Sequence, residues 1–242
     1  MFRQALVAMA LFTAWASAQT PQYARLMTAK VKPSHQGEFR DLQKKATEAY
    51  KKAGTARRSV YTPAALGDQR TWYGITPLAK FGDLDNPPVP KVMGDAAYAA
   101  FMNRAGQCVD EVRYEVIEYR PELTIDSGTR PAGVWMVTII QLKVAKEEAF
   151  EQIMKAEVMP ALKKAGVKDI YVHRVVAGGP VGLYRIASPI GNLAGLEQGS
   201  PVARAMGKEA WARYREKVAD WIVSASNETV SLDTELSYFN QP

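Results

Sequence analysis

The side chains best suited to chemistry in this sequence lie on short, β-branched segments in two separate parts of the chain. His173 is the candidate general base because imidazole titrates near neutral pH, and Arg185 is the candidate group for holding a carboxylate or phenolate oxygen. Three phenols, those of Tyr61, Tyr73 and Tyr171, are candidate ligand-binding groups beside them. Together these five side chains predict a polar pocket for an aromatic or anionic ligand.

Strand alternation decides which side chains share this pocket, because successive residues of a strand point to opposite faces. We expect Val60 and Val172 to pack against helices, so that their neighbours face the space between two sheets. A register shift would bring in Trp72 and Tyr184 instead of Tyr73 and Arg185. The side chains expected to face inward are Ser59, Tyr61, Tyr73, Tyr171, His173 and Arg185, with Glu118, Glu122, Asp233 and Glu235 from the last strand of each half.

The same residues support a second interpretation, in which they only hold the fold together. Buried polar groups in proteins are normally paired. His173 and Arg185 would then form hydrogen bonds and ion pairs with Asp233 and Glu235 and bind no ligand. The sequence leaves both interpretations open.

Several other chemistries lack their sequence signatures. The two histidines, His35 and His173, are far apart and have no cluster of ligand residues around them, so no metal site is expected. The sequence has neither a glycine-rich phosphate loop after a strand nor a G-x-S-x-G nucleophile elbow. Basic pairs such as Arg57-Arg58 occur among 25 acidic residues, and we interpret them as solvated surface rather than as a nucleic-acid site.

The first 18 residues have the composition of a secretory signal peptide. Arg3 supplies the early positive charge, residues 5–15 are apolar, and Ala16-Ser17-Ala18 is a small-x-small cleavage site. The apolar run is shorter than the ~20 residues that a membrane-spanning helix needs. We therefore expect export to a bacterial periplasm or to the extracellular space. A single cysteine, Cys108, which forms no internal disulfide, is consistent with that expectation.

The tetrapeptide KKAG occurs at Lys51–Gly54 and again at Lys163–Gly166, and the similarity continues beyond it. Over 35 positions aligned from these tetrapeptides, nine residues are identical, against about two expected by chance. An offset one residue larger aligns MGDAAYAAF, from Met93, with MGKEAWARY, from Met206. The sequence therefore predicts a tandem duplication with halves of about 110 residues.

Each half is predicted to have the element order β-α-β-β-α-β, which is the ferredoxin-like plan. Gly54 and Gly166 are expected to end the first helix of each half, and Pro160 is expected to kink the second of these helices. The first half is predicted to contain strands at 23–32, 56–62, 70–76 and 114–120 and helices at 34–53 and 94–112. The second half is predicted to contain strands at 135–144, 169–176, 181–188 and 229–238 and helices at 146–165 and 202–225.

The predicted organisation is a signal peptide over residues 1–18, repeat 1 over 19–123, a turn-rich linker over 124–133 and repeat 2 over 134–242. A single unit of this kind would leave one face of its sheet bare, and large apolar faces are rarely left in water. We therefore expect the two sheets to pack face to face with the helices outside. The predicted fold class is α+β, an intramolecular barrel of two ferredoxin-like repeats.

This repeat pattern resembles the dimeric α+β barrel superfamily, in a fused two-repeat form, over nearly the whole predicted mature chain. The superfamily includes antibiotic-biosynthesis monooxygenases, NIPSNAP-like proteins and stress-responsive barrel proteins, and the resemblance implies a fold rather than an activity. Its aromatic-ring monooxygenases carry an Asn and a Trp in the pocket. Here Lys30 and Gln141 take the inward positions of the first strands and Trp72 lies before the usual Trp position, which disfavours a cofactor-free oxygenase.

From the sequence we expect an exported, non-catalytic barrel protein with a binding or interaction role. The alternative is an enzyme, such as a cofactor-independent oxygenase or isomerase, that binds a small molecule in the inter-sheet cavity with His173 and Arg185 as catalytic candidates. No cofactor, metal or nucleic-acid partner is expected. Since fusion already pairs the two sheets, a monomer is the simplest state, and pairing through sheet edges is the oligomeric alternative.

Overall fold

The computed structural model describes residues 22–129 and 133–239, and the predicted signal peptide lies outside them. The strands are β1 (Tyr23–Val31), β2 (Arg57–Pro63), β3 (Thr71–Leu78), β4 (Val109–Tyr119), β5 (Val134–Leu142), β6 (Tyr171–Ala177), β7 (Leu183–Gly191), β8 (Ile222–Leu232) and β9 (Tyr238–Phe239). The helices are α1 (Gln36–Lys52), α2 (Pro88–Met93), α3 (Asp95–Cys108), α4 (Glu147–Ile153), α5 (Met159–Lys164), α6 (Pro201–Met206) and α7 (Lys208–Ala219). None of the helices in these described ranges is both long and apolar enough to cross a membrane.

Eight of the strands close into one antiparallel barrel in the order β3-β1-β4-β6-β7-β5-β8-β2. β2 completes the ring, because Val60 lies opposite Gly74 of β3 while Thr62 lies opposite Ser231 of β8. The short β9 pairs with the beginning of β2. The fold is therefore a mixed α+β structure built on a closed, eight-stranded antiparallel barrel.

The buried apolar residues form three clusters that follow from strand alternation. One cluster fills the barrel interior and includes Leu26, Ile117 and Trp135. The other two lie between the barrel's outer face and the helices, one formed mainly by each half of the chain. Trp72 and Tyr184 belong to these outer clusters, so their neighbours Tyr73 and Arg185 face the interior, as the unshifted register predicts.

The glycines of the two KKAG tetrapeptides end helices α1 and α5. Gly54 and Gly166 have φ angles of +75° and +71°, a left-handed conformation that glycine adopts at little cost. Their N–H groups donate to the carbonyls of Lys51 and Lys163. Both helices therefore stop at the predicted residue.

Predicted and observed elements differ in both halves. In the first, α3 ends at Cys108 rather than at 112, and β4 begins at Val109 rather than at 114. In the second, two helices differ. The helix expected over 146–165 contains a π-helical turn, Met154–Val158, which ends two residues before Pro160 in the first turn of α5. The helix expected over 202–225 is divided at Gly207 and ends at Ala219. Residues from Ile222 onward belong instead to β8, because they pair along most of β5. The last strand therefore begins seven residues before the predicted Thr229.

Candidate functional site

All five candidate ligand-binding side chains line one cavity inside the barrel, here called the inter-sheet cavity. Tyr61, Tyr73, Tyr171, His173 and Arg185 surround a volume of about 120 Å³. Strand alternation explains why these side chains face the same cavity, because each residue occupies an inward position of β2, β3, β6 or β7. Apolar walls, including Leu26, Ile117 and Val230, complete the cavity.

The deepest polar groups of the inter-sheet cavity are paired with carboxylates that the sequence analysis missed. The Tyr73 hydroxyl donates to Glu228 Oε1 at 2.5 Å, and Arg185 Nη2 donates to Glu115 Oε2 at 2.8 Å. Burial, together with the neighbouring Glu228 carboxylate, raises the pKa of Tyr73 well above its ordinary value. Tyr73 is therefore held as a neutral hydrogen-bond donor, and Arg185 is held in a buried ion pair.

The acidic residues expected inside the barrel lie outside it. Asp233 and Glu235 follow β8 and pair with Arg40 of α1. Glu118 pairs with Arg174, and Glu122 pairs with Arg120. The reason is the alternation of β4, whose inward residues Ile117 and Tyr119 line the inter-sheet cavity, so that Glu118 between them must face outward.

Alternation also explains which acidic residues could have been found from the sequence. Glu115 lies two positions before the inward Ile117 and therefore shares its face. Glu228 was missed because the last strand was predicted to start one residue after it. Glu115 binds Arg185 and Glu228 binds Tyr73. Polar groups in the cavity are therefore paired with carboxylates, as the second interpretation expects, but the carboxylates are not Asp233 and Glu235.

The three remaining candidate residues also have partners at the wall of the inter-sheet cavity. The Tyr61 ring packs edge to face against Trp135, with 6.4 Å between the ring centroids. The Tyr171 hydroxyl lies 2.8 Å from Asp126 Oδ1 and 2.9 Å from Asp169 Oδ1. The His173 ring packs against Tyr119, with 5.7 Å between the ring centroids. Within the described part of the chain, no three His, Cys, Asp or Glu side chains are grouped as metal ligands.

A second cavity, here called the helix–sheet cavity, lies between α1, α2, α3 and the outer faces of β1–β4. Its volume is about 130 Å³. Rings form much of its wall, from Phe39 and Tyr50 of α1, Tyr98 and Phe101 of α3, and Tyr114 of β4. α3 covers the sheet loosely, because Cys108 is the only fully buried residue of its 14.

Arg58 is the buried cation of the helix–sheet cavity and was read from the sequence as surface. Its side chain is only 4% exposed, because residue 58 shares the helix-packed face of β2 with Val60. Nη1 donates to Gln43 O at 3.2 Å and Thr47 Oγ1 at 2.5 Å, and Nη2 donates to Gln43 Oε1 at 2.6 Å. All these acceptors are neutral. Burial lowers the pKa of the Arg58 guanidinium.

Arg25 is the second cation on the wall of the helix–sheet cavity. Its guanidinium carbon lies 3.9 Å from the ring centroid of Tyr114, which is a close cation–π contact. Among the described residues, no aspartate or glutamate lines this cavity. The wall is therefore aromatic and positively charged.

The corresponding space in the second half of the chain is filled. Phe150, Met154 and Leu162 of the helical segment pack against Tyr184 of β7, and Tyr214 of α7 joins the same buried cluster. Phe150 and Tyr184 lie with ring centroids 5.1 Å apart. The two helix–sheet layers of one barrel thus differ, one having a cavity and the other a packed core.

Comparisons with solved structures show the fold of this chain and do not identify an activity. An anthrone oxidase-like protein aligns with a TM-score of 0.62 and 12% identity over 93% of this chain and 95% of its own. A candidate monooxygenase from Lactobacillus acidophilus NCFM aligns with a TM-score of 0.59 and 12% identity, over 91% of this chain and 97% of its own. A chlorite dismutase variant from Candidatus Nitrospira defluvii has a TM-score of 0.53 and 10% identity, covering 90% and 94%. No protein-family model matches the sequence, and a search of curated proteins finds no match.

Proposed function

We propose that this chain is a non-catalytic, small-molecule-binding barrel protein whose principal binding site is the helix–sheet cavity. The observation that carries the proposal is the loose cover of α3, which buries one residue and leaves about 130 Å³ open against the sheet. Several of its apolar lining residues, among them Met102, Val112 and Tyr114, are exposed to solvent, and covering them with an apolar ligand is favourable. We infer that a ligand covers this exposed apolar lining.

The size of the helix–sheet cavity limits the ligand to a single ring. An apolar cavity of about 150 Å³ in another protein accommodates benzene. The rings of Phe39, Tyr98 and Phe101 provide surfaces on which an aromatic ligand can stack or meet edge to face. The proposed ligand class is therefore a small aromatic molecule.

The catalytic alternative places the reaction in the inter-sheet cavity, with His173 and Arg185 as acid–base and anion-holding groups. Structural neighbours described as a candidate monooxygenase and an anthrone oxidase-like protein favour this alternative. Against it, Arg185 and Tyr73 already have intramolecular carboxylate partners. A substrate would have to compete with these contacts, and we therefore favour binding without catalysis.

Filling the helix–sheet cavity from its helical wall tests the proposed site. Gly106 of α3 lines the cavity, and a Cβ built there meets nothing within 4 Å. Gly106 is exposed, so Gly106→Leu adds a side chain at the rim of the cavity. It should weaken binding of benzyl alcohol or benzoate in ligand-observed NMR, while improved helix propensity maintains stability.

Gly37→Leu is the matched control for this test. Gly37 is also helical, in the first turn of α1, with open space around its Cβ position, and it does not line the cavity. The Gly37→Leu variant should bind benzyl alcohol and benzoate as the unmodified protein does. Binding that is unchanged in Gly106→Leu, or no binding of either probe to the unmodified protein, would show that the helix–sheet cavity is not the site.

We further propose that the barrel arose from two ferredoxin-like repeats within the boundaries predicted from the sequence. Two buried pairs support this proposal. Adding 112 to the number of Tyr73 gives Arg185, and adding 113 to that of Glu115 gives Glu228. Tyr73 and Arg185 therefore occupy corresponding positions, and so do Glu115 and Glu228. Each half contributes one residue to each of the contacts Tyr73–Glu228 and Arg185–Glu115. The bridge Ile125–Ile170 and the β9 pairing of Arg58 with Tyr238 are related in the same way.

Export and a monomeric state also remain proposals. The signal-like residues 1–18 support secretion to a periplasm or the exterior, and the barrel's closed ring of strands supports a monomer. Intact-mass analysis of the protein from its own host distinguishes the outcomes. A chain beginning at Gln19 supports export, whereas one that retains Met1 contradicts it.

A further inference from the structure

Arg58 has no opposite charge near it in the described structure. Its hydrogen-bond acceptors are a backbone carbonyl, an amide and a hydroxyl. No aspartate or glutamate of the described residues forms an ion pair with it, and the ring centroid of Tyr50 lies 5.2 Å from its guanidinium carbon. Its Nε is buried and has no hydrogen-bond partner.

An isolated buried cation is energetically costly, and folded proteins normally compensate it with an anion. The same barrel shows the usual solution elsewhere, since the buried Arg185 meets Glu115 and Arg174 meets Glu118. Arg58 is the more deeply buried guanidinium and has only neutral acceptors. Compensation by a ligand would explain why this charge is retained.

The charge of the helix–sheet cavity supports the same conclusion. Arg25 adds a second positive charge on its wall, and no acidic side chain of the described residues lines it. In a site partly withdrawn from water these charges act strongly on a bound anion, because the effective dielectric constant is lower than in bulk solvent. A carboxylate is attracted by both charges, whereas a cationic group is repelled by them.

We propose that the helix–sheet cavity binds a single-ring aromatic carboxylate, with its carboxylate at Arg58 and its ring among the aromatic side chains of α1 and α3. The inference rests on the proposed binding function and names its ligand class. A planar carboxylate matches the planar fork of a guanidinium. Arg25, beside Tyr114, assists at the same wall.

Benzoate and benzamide test the charge requirement, because the two molecules have nearly the same shape and differ in charge. Titration calorimetry of the unmodified protein should show benzoate binding at least about tenfold more tightly, the difference expected for a charge-assisted over a neutral hydrogen bond. Equal affinities would overturn the inference and leave the binding function standing. Failure of both probes to bind would overturn the binding function as well.

Arg58→Met and Arg57→Met provide the matched pair of variants. The two arginines are adjacent in β2, and Arg57 lines the inter-sheet cavity on the opposite face. Arg58→Met should remove the preference for benzoate and leave benzamide affinity within about twofold, whereas Arg57→Met should preserve the preference. A preference that survives Arg58→Met, or disappears with Arg57→Met, contradicts the assignment. If Arg58→Met does not fold, Arg25→Met must reduce the preference, and an unchanged preference also counts against the proposal.

Discussion

The two helix–sheet layers of this barrel have similar elements and different interiors. In the first half, Gly74 of β3 and Ala105 of α3 border an open cavity. In the second half, Ile186 of β7 and Val218 of α7 occupy the corresponding positions, 112 and 113 residues later, and belong to or pack against a filled core. The difference teaches that side-chain volume, rather than backbone architecture, decides whether such a layer holds a cavity.

The two layers also differ in buried charge. Arg58 corresponds by the 112-residue offset to Ile170, which is 1% exposed and belongs to the apolar cluster of the second half. One layer thus has a buried cation at the position where the other has a buried aliphatic side chain. The filled layer is suited to stability, and the open, positively charged layer is suited to binding.

The largest expected difference between the layers concerns one aromatic side chain in each. Tyr214 of α7 is buried and its hydroxyl lies 3.6 Å from Met154 Sδ, whereas the corresponding Phe101 of α3 is half-buried at the cavity wall. Tyr214→Ala should lower the free energy of unfolding by about 3–5 kcal/mol, because a close-packed site cannot collapse around the deletion. Phe101→Ala should cost roughly 1–2 kcal/mol. Urea denaturation measures both, and equal losses would mean that the layers are equally packed.

A smaller effect is expected on stability at low pH, because ion pairs border the filled layer. Glu118 accepts hydrogen bonds from Gln22 and Arg174. Its burial alone would raise the pKa of its carboxyl group, but these hydrogen bonds and the charges of Arg174 and Arg120 bring the pKa below the ordinary value of 4.5.

Since the pKa of Glu118 is lower in the folded state, its contribution to stability is complete above pH 4.5 and is lost as the pH falls through the lowered value. Glu118→Gln should lower stability at pH 7 by about 1 kcal/mol and reduce the difference between pH 7 and pH 3. Urea midpoints at both pH values check this. An unchanged acid response in Glu118→Gln would show that other carboxyl groups govern it.

The smallest expected effect comes from making the open layer more like the filled one. Ala105→Val places the side chain of Val218 at the corresponding cavity position, adding two methyl-sized groups to the wall. The free energy gained by burying these groups should slightly exceed the cost of valine's lower helix propensity. The free energy of unfolding should therefore rise by about 0.5 kcal/mol. Thermal denaturation measures the change, and benzoate affinity should fall in the same variant. A loss of stability with unchanged affinity would contradict the cavity's position.

Much of the fold could be predicted from the sequence because its signals are local. The strands β1 to β3 lie within two residues of the predicted bounds, and Gly54 and Gly166 end their helices as expected. The boundary after α7 was wrong, since the residues around Trp221 and Ile222 suit a helix as well as a strand. Pairing of β8 with the distant β5 decides between them, and a local pattern does not contain that information.

The candidate site was predictable as far as alternation extends. Alternation places Tyr61, Tyr73 and Arg185 on inward positions, and all three line one cavity. Arg58 was missed because Arg57-Arg58 resembles an exposed basic pair. Its position two residues before the helix-packed Val60 was the available signal. No sequence pattern could show that the acids around Arg58 are absent, since that depends on which helices cover it.

Closure of the barrel also determines the order in which it can be completed during folding. β2 is one of the first elements made, yet Tyr61 lies opposite Leu232, 171 positions later, and β9 pairs with β2 from near the end of the described chain. Until these last strands arrive, one side of β2 remains an unpaired edge. Contacts so distant in sequence make folding slow, since the chain loses loop entropy before the contacts form. β8 and β9 therefore determine when the nascent protein ceases to expose the unpaired backbone of β2.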